Sequence, residues 1–226
     1  MRLLKLWTVF CKKERVMEQS SICGFKSRFV CVWAVSLLFL AMCQTHVFGG
    51  KIPAPVEKTG QTKSYSNTGG EDGDLENGVK WPRPRFRDNG DGTVKDNLTG
   101  LIWLKNANAF GWRTWEQALA DSNTLASGSA GLSDGSKAGD WRLPNRNELL
   151  SLIDIAYYGP ALSSASGKSQ WTSEDAFASV LLGYYWSSTT DSFRSTHAWC
   201  VDLTGGYSVA YNKTDVNYVW PVRTGK

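Results

Sequence analysis

Two closely spaced turn signals limit what the C-terminal part of this chain can fold into. Asp88-Asn89-Gly90-Asp91-Gly92 separates Arg85-Phe86-Arg87 from Thr93-Val94-Lys95-Asp96, and Asn97-Leu98-Thr99-Gly100 then leads into the apolar Leu101-Ile102-Trp103-Leu104. Glycine accepts the positive φ of tight turns, and Asn and Asp close such turns with their own side chains. Only short segments fit between them, so the spacing predicts consecutive short antiparallel strands.

Helical spacing follows. Thr114 and Gln117 stand at capping-box positions, Trp115, Ala118, Leu119 and Leu125 share one face, and Gly128 is expected to end the helix. A Gly/Ser/Asp loop over 127–140 and an extended Trp141-Arg142-Leu143-Pro144 lead to a second predicted helix from Asn145, with Glu148 at capping-box spacing and Leu149, Leu150 and Ile153 facing inward. Residues 157–183 are long, aromatic and irregular, which predicts a surface excursion. Strands are predicted over 184–188, 197–203, 207–211 and 218–223, with Gly205-Gly206 as a hairpin turn. Pro221 cannot donate to a ladder and belongs at an edge, bulge or strand end. Two helices among short antiparallel strands place the domain in the α+β class.

The N-terminus reads differently. Lys26 and Arg28 precede an apolar run from 29 to about 42, which has the length of a signal-peptide core and is short for a membrane span. Residues 1–49 are therefore expected to be a signal peptide, with Met17 as an alternative start that would make residues 1–16 a mis-assigned extension. Gly49-Gly50 offers one cleavage point and the bond after Cys43 another. Leu40-Ala41-Met42-Cys43 faintly resembles a lipoprotein box, with Met42 bulky where a small residue belongs, so a lipid anchor at Cys43 and an uncleaved anchor are the minor alternatives. The expected location is exported: periplasm, cell surface or medium, with the membrane touched only through this segment. Residues 50–80 are rich in Gly, Pro, Ser, Thr, Asn and charge and are expected to form a flexible, disordered linker. The folded domain is expected over 81–226.

Charge and cysteine divide at the same boundary. Residues 1–49 hold seven Lys/Arg against two Glu, a net +5, and the remaining 18 basic and 19 acidic residues give −1. The domain therefore has no bulk attraction for nucleic acid, and none is expected as a partner. Cys11, Cys23, Cys31 and Cys43 are N-terminal, and the lone Cys200 is expected to be a buried small hydrophobe.

The strings 85–94 and Asp96-Asn97-Leu98-Thr99-Gly100-Leu101-Ile102-Trp103, together with Asp140-Trp141-Arg142-Leu143-Pro144-Asn145-Arg146-Asn147-Glu148-Leu149, Tyr185-Trp186-Ser187-Ser188 and Tyr218-Val219-Trp220-Pro221-Val222-Arg223, resemble the DUF1566 family, also called the Lcl C-terminal domain after a collagen-like adhesin. The resemblance covers about residues 85–225. It implies a C-type-lectin-like fold related to the formylglycine-generating-enzyme group, a homotrimer, and binding of sulfated glycosaminoglycans on host surfaces. This chain departs from the adhesin in lacking a collagen stalk, and residues 81–226 hold 14 basic and 14 acidic residues.

Enzyme chemistry finds little support, and no catalytic residue, cofactor or metal is expected. His46 and His197 are the only histidines, and no Gly-x-Ser-x-Gly elbow exists. The copper-binding cysteines of the related enzymes are reduced here to Cys200. Gly90 and Gly92 occupy positions where a calcium loop needs oxygen donors, so the 88–92 string reads as a turn. A hydrolase or oxidoreductase using Asp140, Asp202 and Asp215 is the least supported reading. Arg142, Asn145, Arg146 and Glu148 suit an anion but are equally explained by capping and internal ion pairs.

Aromatics carry the most information. Trp103, Trp115, Trp141, Trp186, Trp199 and Trp220 read as core, whereas Trp112, Tyr157, Tyr158 and Trp171 fall in loops. The resemblance places a ligand at C-terminal loops. The candidate binding residues are Trp171, Phe193, Arg194, Tyr207, Tyr211, Asn212 and Lys213, a mixture suited to adaptable recognition. The expected function is a non-enzymatic secreted or surface module, adhesin-like, that recognises a glycan or a host or matrix ligand. The alternative is an envelope domain for protein–protein interaction or structure.

Overall fold

A computed structural model describes residues 56–173 and 175–225. The expected signal peptide, with Cys43 and His46, lies outside the described residues. Within them the chain is mostly β with short helices: α1 Asp72–Leu75, β1 Phe86–Asp88, β2 Thr93–Asp96, β3 Leu101–Leu104, α2 Trp115–Thr124, α3 Arg146–Leu150, β4 Tyr184–Thr190, β5 His197–Asp202, β6 Ser208–Asn212 and β7 Val222–Thr224.

The two turn signals do what their residues require. Gly90, Gly92 and Gly100 all take positive φ. A Cβ on Gly92 would lie 2.3 Å from the Gly131 carbonyl oxygen, so no other residue fits there. These turns fold β1, β2 and β3 into an antiparallel meander, and β7 returns from the C-terminus to pair with β3, giving the order β1-β2-β3-β7. The predicted strand over 218–223 shrinks to β7 because Pro221 has no N–H; its carbonyl instead accepts from Leu104 N–H at 3.1 Å. β4, β5 and β6 form a second antiparallel sheet, with Gly205-Gly206 at the β5–β6 turn. Tyr218 links the sheets, since its carbonyl accepts from Trp186 N–H at 2.9 Å and it bridges Tyr185.

The alternation of β5 feeds two cores. Val201 enters the larger one, where Trp220 packs edge-on against Trp103 at 5.6 Å and Phe177 at 4.8 Å. Ala198 and Cys200 enter the smaller one with Trp186, Leu143, Val219 and Ala118 of α2. Trp103, Trp141, Trp186 and Trp220 are fully buried. Trp115 and Trp199 are only half-buried, a correction with a common cause: a cation roofs each ring, Lys213 at 4.0 Å and Arg146 at 4.2 Å. Both capping boxes form as their spacing predicts. α2 ends at Thr124, before Gly128, because Leu125 turns extended to bury its side chain.

Two expectations need correction. Residues 157–183 are irregular but not a surface excursion: Ala161, Leu162 and Phe177 are buried in the larger core, and bridges Ile153↔Leu162 and Ser163↔Gln170 satisfy the backbone. Residues 56–80, within the expected disordered linker, form a strap belonging to the same compact unit as the rest of the domain. Glu57 bridges Val79, and the Glu71 carboxylate accepts from Ser64 Oγ, Tyr65 N–H and Ser66 N–H. The segment is poor in apolar residues, yet its carboxylates satisfy its own backbone. Beneath it lies a buried ion pair, Arg85 Nε to Asp96 Oδ1 at 3.0 Å, with both side chains fully buried.

Candidate functional site

The β5–β6 hairpin is built by Asp202. Its Oδ1 accepts from Thr204 N–H at 3.0 Å and its Oδ2 from Gly205 N–H at 3.3 Å, while Gly206 takes φ +78° and donates to the Asp202 carbonyl. Tyr184 of β4 pairs with Asp202, and Tyr207 follows the turn with its carbonyl accepting from Asp202 N–H. The Tyr184 ring meets the Tyr207 ring edge-on at 6.3 Å and the Tyr211 ring at 4.8 Å. A fourth ring joins from the 157–183 segment. Gly159 N–H donates to the Thr204 carbonyl, and Gln170 Nε2 donates to the Tyr158 carbonyl, which pins Tyr158 beside the hairpin. A Cβ on Gly205 would sit 3.2 Å from the Tyr207 ring and 3.6 Å from the Tyr158 ring.

The result is a row, Tyr211–Tyr184–Tyr207–Tyr158, whose first three rings touch and whose fourth lies across Gly205 from Tyr207. Its inner half is half-buried and its outer half is open, with Tyr207 54% and Tyr158 76% exposed. The Tyr184 and Tyr207 hydroxyls lie 3.1 Å apart. The bond with Tyr184 pushes the Tyr211 phenol up to about 12, and the same partner, followed by the Asp202 charge, pushes the Tyr207 phenol upward. The row therefore presents aromatic faces, and Tyr207 and Tyr211 present protonated hydroxyls that can donate and accept hydrogen bonds.

The structure divides the candidate residues predicted from sequence. Tyr207 and Tyr211 join the row. Phe193 and Arg194 stand on the β4–β5 connection, at the other end of the strands from the β5–β6 hairpin. There Asp191 accepts from Phe193 N–H and pairs with Arg194 at 3.1 Å, leaving the Phe193 ring 91% exposed. Asn212 and Lys213 belong to that end too. Asn212 Oδ1 closes a turn through Thr214 N–H, and Lys213 N–H donates to the Thr196 carbonyl while its ammonium covers Trp115. Trp171 is half-buried against the larger core, and its Nε1 donates to the Phe177 carbonyl, so its ring is committed to packing. Sequence reasoning left Tyr184 and Tyr158 off the candidate list. Pairing of β4 with β5, which sets Tyr184 opposite Asp202, together with the Gly205-Gly206 turn, which brings Tyr207 to Asp202, could have joined those two; for Tyr158 the signal was its place among the loop aromatics.

Other polar groups are occupied. Asp88 Oδ1 accepts from Gly90 N–H and Asp91 Oδ1 from Thr93, as a turn requires. Arg142 grips Glu148 through two bonds, and Arg146 reaches Ser208 Oγ while stacking on Trp199. Burial pushes the Cys200 thiol well above its ordinary value, which leaves it unreactive. Among the described residues, no group of three or more His, Cys, Asp or Glu is placed to hold a metal ion.

The model of one protein family, described as the Lcl C-terminal domain, matches residues 92–223. The match spans more than half of the chain and includes all four tyrosines of the row. A search of curated proteins found no match.

Proposed function

This chain belongs to the Lcl C-terminal domain family, and on that premise we propose that its domain is a non-enzymatic binding module that takes a carbohydrate ligand on the row Tyr211–Tyr184–Tyr207–Tyr158. The observation that carries this is the clustering of four rings, three in contact and Tyr158 across Gly205 from them, with Tyr207 and Tyr158 exposed. A pyranose has C–H faces that pack on aromatic rings and hydroxyl edges that take and give hydrogen bonds. Tyrosine offers both surfaces on a side chain with little entropy to lose. The even balance of 14 basic and 14 acidic residues over 81–226 favours a neutral glycan over a heavily sulfated one. The finer assignments travel with this reading: a C-type-lectin-like fold, export through the N-terminal segment, and an adhesin-like role on a surface.

Phe193 favours a second reading. A phenylalanine 91% exposed on a loop fixed by Asp191 suits an anchor for a protein partner. A glycan array carrying neutral and sulfated glycans, probed with the full chain, separates the two. Binding concentrated on neutral glycans is expected. A folded chain that binds no glycan would overturn the carbohydrate reading and leave the protein-partner reading.

A further inference from the structure

The strap encloses, with the domain, a cavity of about 240 Å³ that shares no lining residue with the tyrosine row. Lys80, Arg83 and Lys168 stand on its rim, exposed, and none of the three forms an ion pair among the described residues. Lys58, a fourth cation, is already matched by Glu76 at 2.9 Å. Three uncompensated cations facing one cavity call for an anion.

One lining residue, itself an acid, is unsuited to an anion and is the informative one. Asp154 lines the cavity and is 3% exposed. Its Oδ1 accepts from Ala156 N–H at 3.0 Å, whereas its Oδ2 makes no hydrogen bond to a described residue. The strap leaves it room: a Cβ on Gly60 would lie 2.0 Å from Oδ1. A buried carboxylate repels a fully ionised anion such as sulfate. An anion that still carries a proton can instead hydrogen-bond to it.

We propose that this cavity binds a phosphate group, held by Lys80, Arg83 and Lys168 and sharing a proton with Asp154 Oδ2. Burial pushes Asp154 up to about 6, against the opposing pull of Ala156 N–H and the Arg85 charge. A phosphate monoester loses its second proton at about pH 6 as well, so the two groups can hold one proton between them. The carboxyl thereby becomes a selectivity device, accepting phosphate and rejecting sulfate. Most of the cavity's cations lie outside residues 92–223, so the site does not depend on the family assignment or on the tyrosine row.

The test is isothermal titration of the full chain at about pH 7, above the Asp154 value and where inorganic phosphate still carries a shareable proton, at constant ionic strength, with inorganic phosphate, glycerol phosphate and inorganic sulfate as separate ligands. Saturable one-site binding of phosphate is expected, with sulfate weaker by about tenfold or more. Arg83→Ala with Lys168→Ala should weaken phosphate by about tenfold or more with the thermal midpoint unchanged. Asp154→Asn should erase the preference for phosphate over sulfate. Glycerol phosphate binding as tightly as inorganic phosphate assigns the site to a monoester; binding of inorganic phosphate alone assigns it to the free anion. No saturable phosphate binding by the folded native chain, or equal affinity for sulfate, would overturn the proposal. The native phosphate-to-sulfate ratio decides the matter even if Asp154→Asn does not fold.

Discussion

Arg85 and Asp96 show how much can rest on single side chains. Asp96 accepts from Arg85 Nε and Nη2 and also from Leu98 N–H and Thr99 Oγ1, all around a fully buried carboxylate. Removing one partner strands the other charge in the interior. Asp96→Ala is predicted to cost about 3–5 kcal/mol in urea denaturation, and a loss below about 1 kcal/mol would contradict this account. Gly206→Ala tests the hairpin. The residue takes φ +78°, and its Cβ would lie 2.5 Å from Ile153 Cγ2. A loss of about 1–3 kcal/mol is expected, measured by the same method. Four of the tryptophans read as core from their sequence setting and are core. Trp115 and Trp199 were misjudged because an apolar neighbourhood in sequence does not reveal which distant cation covers a ring.

Elements whose signals are local were read well from sequence. The capping boxes at Thr114/Gln117 and Asn145/Glu148, the 88–92 turn and the Gly205-Gly206 hairpin each need residues within a few positions of one another. The strap was missed because its partners are remote: Gly60 packs against Asp154, and Ile155 N–H donates to the Thr59 carbonyl. Composition alone made it a tether. Its docking has a pH signature. Burial pushes Glu57 up to about 7 and Asp154 up to about 6. Each carboxyl holds its proton more tightly folded than unfolded. Its contribution is thus complete below the ordinary carboxylate range and is lost as pH rises through 6 and 7. Stability should fall between about pH 5 and about pH 7.5, and Glu57→Gln with Asp154→Asn should flatten that slope. Urea midpoints across the window measure it; an unchanged slope in the double variant would contradict the strap's docking. The carboxyls pulled downward, Glu148 and Asp134 among them, act below this window.

The molecule as a whole decides what sequence could not. The row draws Tyr158 from an irregular segment, Tyr184 from β4, Tyr207 from the hairpin and Tyr211 from β6, and it exists only once both sheets and the 157–183 segment have packed. The candidate list joined loops that are neighbours in sequence, whereas the β4–β5 connection and the β5–β6 hairpin lie at opposite ends of their strands. The central claim is that the tyrosine row, and not the Phe193 end, holds the ligand. Calorimetric titration of the strongest array glycan into the native chain, Tyr158→Ala with Tyr207→Ala, and Phe193→Ala tests it most directly. Two lost ring contacts amount to about 1–3 kcal/mol, so the tyrosine double variant should bind roughly tenfold to a hundredfold more weakly. Phe193→Ala should bind as the native chain does. Undiminished binding by the folded double variant, or loss of binding in Phe193→Ala alone, would contradict the account.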